Sequence, residues 1–148
     1  MLPIFVVDDD PDEYILVQKA FAQNQVPNPV VFLRDGEELL DCLSKKGPYA
    51  NDPDAGKPAL ILLDLNMPRM DGLTALKLIK SSEEYKSVPV VVLSTSCAPE
   101  DISMVNELGA DSYICKPPDF ETLVRAIGSL KNHWIEPLKP PSVESILF

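Results

Sequence analysis

Apolar residues fall into two kinds of segment that alternate along this chain. Five segments are short and nearly continuous in aliphatic residues, and they predict buried strands: residues 3–8, 30–33, 59–64, 88–94 and 111–116. The longer segments between them repeat apolar residues at helical spacing, as Phe120, Leu123 and Ile127 do after the last strand. Five strand–helix units in succession predict an α/β fold, a doubly wound parallel sheet with helices on both faces.

The length of the chain predicts one domain and a short tail. Its 148 residues suffice for one well-buried domain and are too few for two. The helical pattern stops near Lys131, so the domain is expected to span residues 1–132, with residues 133–148 as a C-terminal tail. Residues 47–58 contain three prolines and two glycines and predict a long loop. The tail is rich in apolar residues such as Trp134 and Phe148, which either cover the domain or, as we favour, contact a second subunit in a homodimer.

Charge and composition exclude several classes of partner. The chain has 13 basic and 23 acidic residues, a formal net charge of -10, which repels nucleic-acid phosphates and disfavours DNA binding. No apolar run approaches the ~20 residues of a membrane span, and no basic segment precedes the first apolar run as in a signal peptide. The cysteines Cys42, Cys97 and Cys115 are odd in number and lack metal-ligand spacing, so reduced thiols in a cytoplasmic protein are expected.

Polar side chains follow four of the predicted strands at the point where each strand ends. They are Asp8 and Asp9, then Asp64, then Ser94 and Thr95, and finally Lys116 and Pro117. Because ligands bind at the carboxyl ends of the strands in this architecture, we expect these groups to converge. Crowded carboxylates favour a hard divalent cation such as Mg²⁺, and an ammonium and a hydroxyl can hold a phosphoryl group. Asp64 stands alone on its strand and is the natural nucleophile, which leaves the acidic pair to hold the metal.

Each of these residues also has an ordinary structural interpretation. The acidic run before Pro11 suits a helix N-terminus, residues 64–68 suit a plain turn, and Lys116 suits a solvated strand end. The placement of such groups at four strand ends of one sheet favours a shared site over four separate coincidences.

The residues at these positions resemble a known family. The acidic pair Asp8-Asp9, the block Asp64-Leu65-Asn66-Met67-Pro68-Arg69-Met70-Asp71-Gly72, the Ser94 hydroxyl, Tyr113 and Lys116-Pro117 are similar to the receiver domain of two-component response regulators. The resemblance covers roughly residues 2–131. It implies a flavodoxin-like (βα)5 fold with strand order 2-1-3-4-5, and a stand-alone receiver without an effector domain.

The resemblance implies that Asp64 accepts phosphate from a histidine kinase or a phosphotransfer protein. It also implies that Mg²⁺ is bound by Asp9, Asp64 and the backbone carbonyl of Asn66, with Asp8 acting through a water molecule.

The same resemblance implies a switch at the fourth and fifth strands. Ser94, beside Thr95, hydrogen-bonds the phosphoryl oxygen, Lys116 forms an ion pair with it, and Pro117 has a structural role. Tyr113 then rotates inward, so that the face formed by the fourth helix, fifth strand and fifth helix changes its protein partners.

Finer features are similar to single-domain regulators that partner phytochrome-type histidine kinases. These features are residues 32–40, the loop 47–58, residues 93–96 and Trp134-Ile135-Glu136. Members of that group often dimerise. Cys115, Pro118 and the tail from Pro137 onward depart from the family pattern, and these departures concern the output surface more than the phosphorylation site.

Two other functions stay open. A metal-dependent phosphohydrolase also uses an Asp nucleophile, but it commonly carries a second acid two residues later, where this chain has Asn66, which cannot donate a proton. An interaction module that has lost its switch is the other alternative, but every expected site residue is present. We therefore predict a phosphoacceptor rather than an enzyme that turns over an outside substrate.

Overall fold

The computed structural model describes residues 2–65, 72–117 and 119–135. Its elements alternate along the chain as β1 (Ile4–Val7), α1 (Pro11–Gln23), β2 (Val30–Leu33), α2 (Gly36–Ser44), β3 (Leu60–Leu63), α3 (Gly72–Lys80), β4 (Val90–Ser94), α4 (Pro99–Glu107), β5 (Ser112–Cys115) and α5 (Phe120–Leu130). All four strand pairs are parallel, and the sheet order is β2-β1-β3-β4-β5. The predicted fold class and strand order are confirmed.

The sheet separates two apolar layers because successive strand side chains point to opposite faces. Phe5 and Leu63 lie on the face that packs against α2, α3 and α4. Ile4 and Leu62 lie on the other face, against α1 and α5. Every residue of β1, β3 and β4 is buried, which explains why these strands are continuously apolar.

Aspartates fix the starts of three helices. The Asp10, Asp35 and Asp119 carboxylates accept the backbone N–H groups of Asp12, Glu38 and Thr122, which α1, α2 and α5 leave without an intrahelical partner. Asp10 is therefore the helix cap of the acidic run, and the two aspartates before it are left for another role.

Two segments are more regular than their composition predicts. The predicted loop at residues 47–58 begins with a 3₁₀ turn, Gly47–Tyr49. After α5 the chain continues through a π-helical segment, Lys131–Ile135, which includes the first residues of the predicted tail. Within the described part of the chain, no helix has the length and apolar character needed to cross a membrane.

Candidate functional site

The predicted site residues Asp8, Asp64 and Lys116 each follow directly after a strand, and main-chain hydrogen bonds between neighbouring strands continue to them. They therefore lie at the carboxyl edge of the sheet. The Asp8 N–H donates to the Leu33 carbonyl (3.0 Å), and the Asp64 N–H donates to the Val7 carbonyl (3.0 Å). The Lys116 N–H donates to the Ser94 carbonyl (2.7 Å). These main-chain bonds hold three of the predicted site residues in register with the strands, so the candidate site lies directly at the end of the hydrogen-bonded sheet.

Three carboxylates form the acidic side of the site. Asp8, Asp9 and Asp64 each offer an oxygen atom, and these atoms lie within 4.8 Å of one another. Asp8 and Asp64 are buried, with 4% and 7% of their surface exposed, whereas Asp9 is exposed. Such a cluster of hard oxygen ligands fits a divalent cation, which relieves the repulsion between the carboxylates.

Burial dominates the ionisation of Asp8. It raises the pKa of this carboxyl from 3.8 to about 6, together with the nearby negative charges of Asp64 and Glu13. The Asp10 N–H, which donates to Asp8 Oδ1 (3.0 Å), and the Lys116 ammonium act in the opposite direction and lower the pKa. In the absence of a cation, the ionised form of Asp8 therefore destabilises the folded protein.

Lys116 supplies the positive charge of the site. Its Nζ lies 3.6 Å from Asp8 Oδ2, 3.6 Å from Glu13 Oε1 and 4.0 Å from Asp64 Oδ2. Burial alone would lower the pKa of this ammonium, but the three carboxylates outweigh it and raise the pKa above its ordinary value. Lys116 therefore stays protonated and holds its charge beside Asp64.

Glu13 is a member of this site that the sequence pattern did not predict. It lies in the first turn of α1, and only three residues separate the end of β1 from the start of that turn. Because α1 starts at Pro11, its first turn lies next to this edge of the sheet. The predicted helix start at Pro11 could therefore have identified Glu13 as a neighbour of the site.

Ser94 and Tyr113 are connected through the main chain of Ser96. Ser94 is fully buried, and its Oγ accepts the Ser96 N–H (3.1 Å). The Tyr113 hydroxyl donates to the Ser96 carbonyl (2.6 Å), and the ring is buried with 8% of its surface exposed. One residue of the loop between β4 and α4 thus contacts both the predicted phosphoryl-contacting hydroxyl and the predicted switch residue.

The remaining predicted residues lie at the margin of the site or outside the described part of the chain. Thr95 is exposed, and Pro117 follows Lys116 as a half-buried residue after β5. Asn66 lies among residues 66–71, outside the described residues, as does Pro118. The structure therefore brings together Asp8, Asp9, Asp64 and Lys116, with Ser94 at the neighbouring strand end.

The structure pairs two of the three cysteines that were expected as separate reduced thiols. The sulfurs of Cys97 and Cys115 lie against each other, with their Cα atoms 5.5 Å apart, whereas Cys42 is buried and has no such neighbour. The pairing was missed because the two residues are 18 positions apart and belong to different elements. The β4–β5 register, which aligns Ser94 with Cys115, brings them together.

Comparison with known proteins gives a consistent result at the level of sequence and structure. Residues 4–128 match the family model of the response regulator receiver domain. Response regulator Rcp1 of Synechocystis sp. is 33% identical over 139 residues, which cover 94% of this chain and 92% of Rcp1. The Mn²⁺-bound structure of Rcp1 has a TM-score of 0.82 at 32% identity and covers 96% of this chain and 100% of that one.

Two further structures are similar over nearly their whole length. The phosphorylated cyanobacterial phytochrome response regulator RcpA has a TM-score of 0.83 at 39% identity, with 95% of this chain and 99% of RcpA covered. Response regulator RPA3017 in red light signalling of R. palustris has a TM-score of 0.86 at 31% identity, with 97% and 100% covered. The chain therefore belongs to the receiver domain family of two-component response regulators.

Proposed function

We propose that Asp64 is the phosphoryl acceptor of this receiver. The observation that supports it best is the position of the Asp64 carboxylate, buried between an acidic pair and the Lys116 ammonium. A carboxylate oxygen of Asp64 attacks the phosphorus of a phosphohistidine. The new O–P bond forms as the donor N–P bond breaks, and the imidazole is the leaving group.

Mg²⁺ is the proposed cofactor. Three carboxylate oxygens within 4.8 Å fit a hard cation, and Rcp1 has a Mn²⁺-bound structure. Asp9, Asp64 and the backbone carbonyl of Asn66 would hold the ion, with Asp8 acting through water because its own oxygens already contact the Asp10 N–H and Lys116. When bound, such an ion neutralises charge on the transferring phosphoryl group.

The other residues of the site hold the product and transmit its presence. Lys116 offers the acyl phosphate a positive charge, and Ser94, beside Thr95, offers it a hydroxyl proton. A Ser94 hydroxyl drawn toward the phosphoryl group pulls on the Ser96 N–H, and the Ser96 carbonyl carries that movement to Tyr113. A new charge at Asp64 thereby biases a two-state element on the β4–β5 side of the sheet.

The proposed partner is a histidine kinase of the phytochrome type, either directly or through a phosphotransfer protein. The description of RcpA as a phytochrome response regulator supports this class, and RPA3017 acts in red light signalling. The net negative charge of the chain disfavours direct binding to DNA. We therefore assign the protein to the cytoplasm, where it acts by changing its protein partners, and we propose that it forms homodimers.

The assignment of Asp64 is tested by intact-mass measurement after incubation with acetyl phosphate and Mg²⁺. One phosphoryl adduct is expected on the native chain and none on Asp64→Asn. Asp12→Asn, which removes an exposed carboxylate from the first turn of α1, is the matched control and keeps the adduct. A full adduct on Asp64→Asn would refute the assignment.

The same samples separate a switch from an enzyme. A phosphoacceptor reaches a limit of one phosphoryl group per chain, whereas a phosphohydrolase releases phosphate from many equivalents of a small ester. Sustained release of that kind, lost in Asp64→Asn, would replace the proposed function by the enzymatic alternative. Transfer from an autophosphorylated phytochrome-type kinase tests the partner class.

A further inference from the structure

The paired cysteines Cys97 and Cys115 lie beside the proposed phosphoryl-contacting residues. Cys97 belongs to residues 95–98, the β4–α4 loop, three positions after Ser94. Cys115 is the last residue of β5 and directly precedes Lys116. Their Cα atoms are 5.5 Å apart, which lies within the range that disulfides span. A disulfide at this place would therefore connect the loop to the strand that ends directly before Lys116.

These cysteines can be reached from solvent, and the third cysteine cannot. Cys97 is exposed, Cys115 is half-buried, and both line an open groove of about 920 Å³. Cys42 has no exposed surface, and burial raises the pKa of its thiol to about 11. Because the thiolate is the reactive form, Cys42 is an internal control that should not react in the folded protein.

We propose that Cys97 and Cys115 form a reversible redox modification site, whose oxidation fixes the β4–α4 loop against β5. The oxidant is a peroxide. One thiolate attacks a peroxide oxygen to give a sulfenic acid and water, and the second thiol attacks that sulfur to give the disulfide and a second water. Both sulfurs are oxidised and both peroxide oxygens are reduced. A dithiol reverses the reaction by two thiol–disulfide exchange steps.

The disulfide stabilises contacts that the loop already makes. The Ser96 carbonyl accepts the Tyr113 hydroxyl, and Ser96 Oγ donates to Asp101 Oδ2 (2.5 Å) at the start of α4. Oxidation adds a covalent bond one residue further along the loop. The oxidised protein is therefore held in the arrangement in which Tyr113 is buried.

The consequence for signalling rests on the proposed function. The family resemblance implies that Tyr113 is inward in the phosphorylated state, so the disulfide and the phosphoryl group should favour the same arrangement. Coupling between two sites is reciprocal. Oxidation should therefore tighten the binding of a phosphoryl mimic at Asp64, and the mimic should make the disulfide harder to reduce.

The redox site itself is tested by peroxide treatment of the full chain, followed by thiol alkylation under denaturing conditions and mass measurement. One alkylated cysteine, Cys42, and an intramolecular bridge between Cys97 and Cys115 are expected. Full reversal by a dithiol is also expected. Three alkylated thiols, a bridge that includes Cys42, or a bridge between two chains would overturn the proposal. Cys97→Ser is the control variant, because it changes only an exposed side chain. After the same peroxide treatment, both of its remaining cysteines should be alkylated.

The coupling is measured as the affinity for beryllofluoride in Mg²⁺, which mimics a phosphoryl group on a carboxylate. Oxidised protein should bind it at least about fivefold more tightly than reduced protein, the lower end of typical coupling between sites. Peroxide and dithiol should make no difference in Cys97→Ser. Equal affinities of the two native forms would overturn the coupling.

Failure of the proposed function gives a different result. Asp64→Asn keeps both cysteines, so it should form the disulfide normally while it loses beryllofluoride binding. If the native chain forms the disulfide but never binds beryllofluoride, the phosphoacceptor assignment and the coupling fail together, and the redox site stands.

Discussion

Removing the charge of Asp8 should stabilise the metal-free protein. Asp8 is 4% exposed, and its burial raises the pKa of the carboxyl from 3.8 to about 6. At pH 7 the group is ionised in both the folded and the unfolded chain, so the difference in pKa appears as a cost of folding of roughly 3 kcal/mol. The substitution Asp8→Asn keeps an oxygen for the Asp10 N–H and removes this cost. The attraction to Lys116 is already included, because it acts on the same pKa.

The sign of the pH dependence follows from the same shift. A raised pKa of the Asp8 carboxyl means that this group binds more protons in the folded than in the unfolded chain between about pH 4 and 6, so its contribution to stability becomes more favourable as the pH falls through this window. The stability advantage of Asp8→Asn should accordingly fall to roughly half of its pH 7 value at pH 5 and nearly vanish below pH 4.

Urea denaturation in a chelator at pH 7, 5 and 4 measures these differences. Asp9→Asn is the matched control, because it removes the same charge one residue away from an exposed side chain and should change stability little. With Mg²⁺ at about 100 times its dissociation constant, the native chain should gain about 2.7 kcal/mol, and both variants should gain much less. An Asp8→Asn protein that is less stable than native in chelator at pH 7 would refute the reasoning, as would an advantage that does not change with pH.

Substitutions at Gly72, which packs closely against the main chain, and at Asp35, which caps α2, give two further predictions. A Cβ added at Gly72 would lie 2.6 Å from Leu65 Cα and closer still to the Asp64 carbonyl oxygen, so Gly72→Ala should cost about 1–3 kcal/mol and reduce the rate of phosphorylation by acetyl phosphate. Unfolding curves and initial rates check this, and an unchanged rate would contradict it. Asp35→Ala removes the side chain that accepts the Glu38 N–H (2.8 Å) and should cost about 1 kcal/mol in urea denaturation, with little effect on the rate.

Much of the candidate site could be predicted because the strands are parallel, so the residue that follows each strand lies at the same edge of the sheet. Each strand is a short apolar run, and the polar residue that ends it must lie at the carboxyl edge. Asp8, Asp64 and Lys116 can be placed in this way without knowledge of any contact. The family resemblance added the strand order and the assignment of roles. It could not supply the burial that separates Asp8 from the exposed Asp9.

What the sequence could not reveal depends on main-chain atoms and on register. The connection from Ser94 to Tyr113 runs through the N–H and the carbonyl of Ser96, and any residue type except proline carries that same pair of groups. The pairing of Cys97 with Cys115 likewise depends on the β4–β5 alignment, which no property of the thiols encodes.

The Ser96 connection and the Cys97–Cys115 pair both involve the β4–α4 loop, which has a consequence for the proposed signalling. The proposed switch runs through the N–H and the carbonyl of a single residue, Ser96. It should therefore be insensitive to substitution of the Ser96 side chain, apart from the bond of that side chain to Asp101, but sensitive to anything that moves the loop backbone. A disulfide at the next residue moves or fixes that backbone directly. Control of this output face should therefore respond more strongly to the redox state of Cys97 than to replacement of Ser96 by alanine.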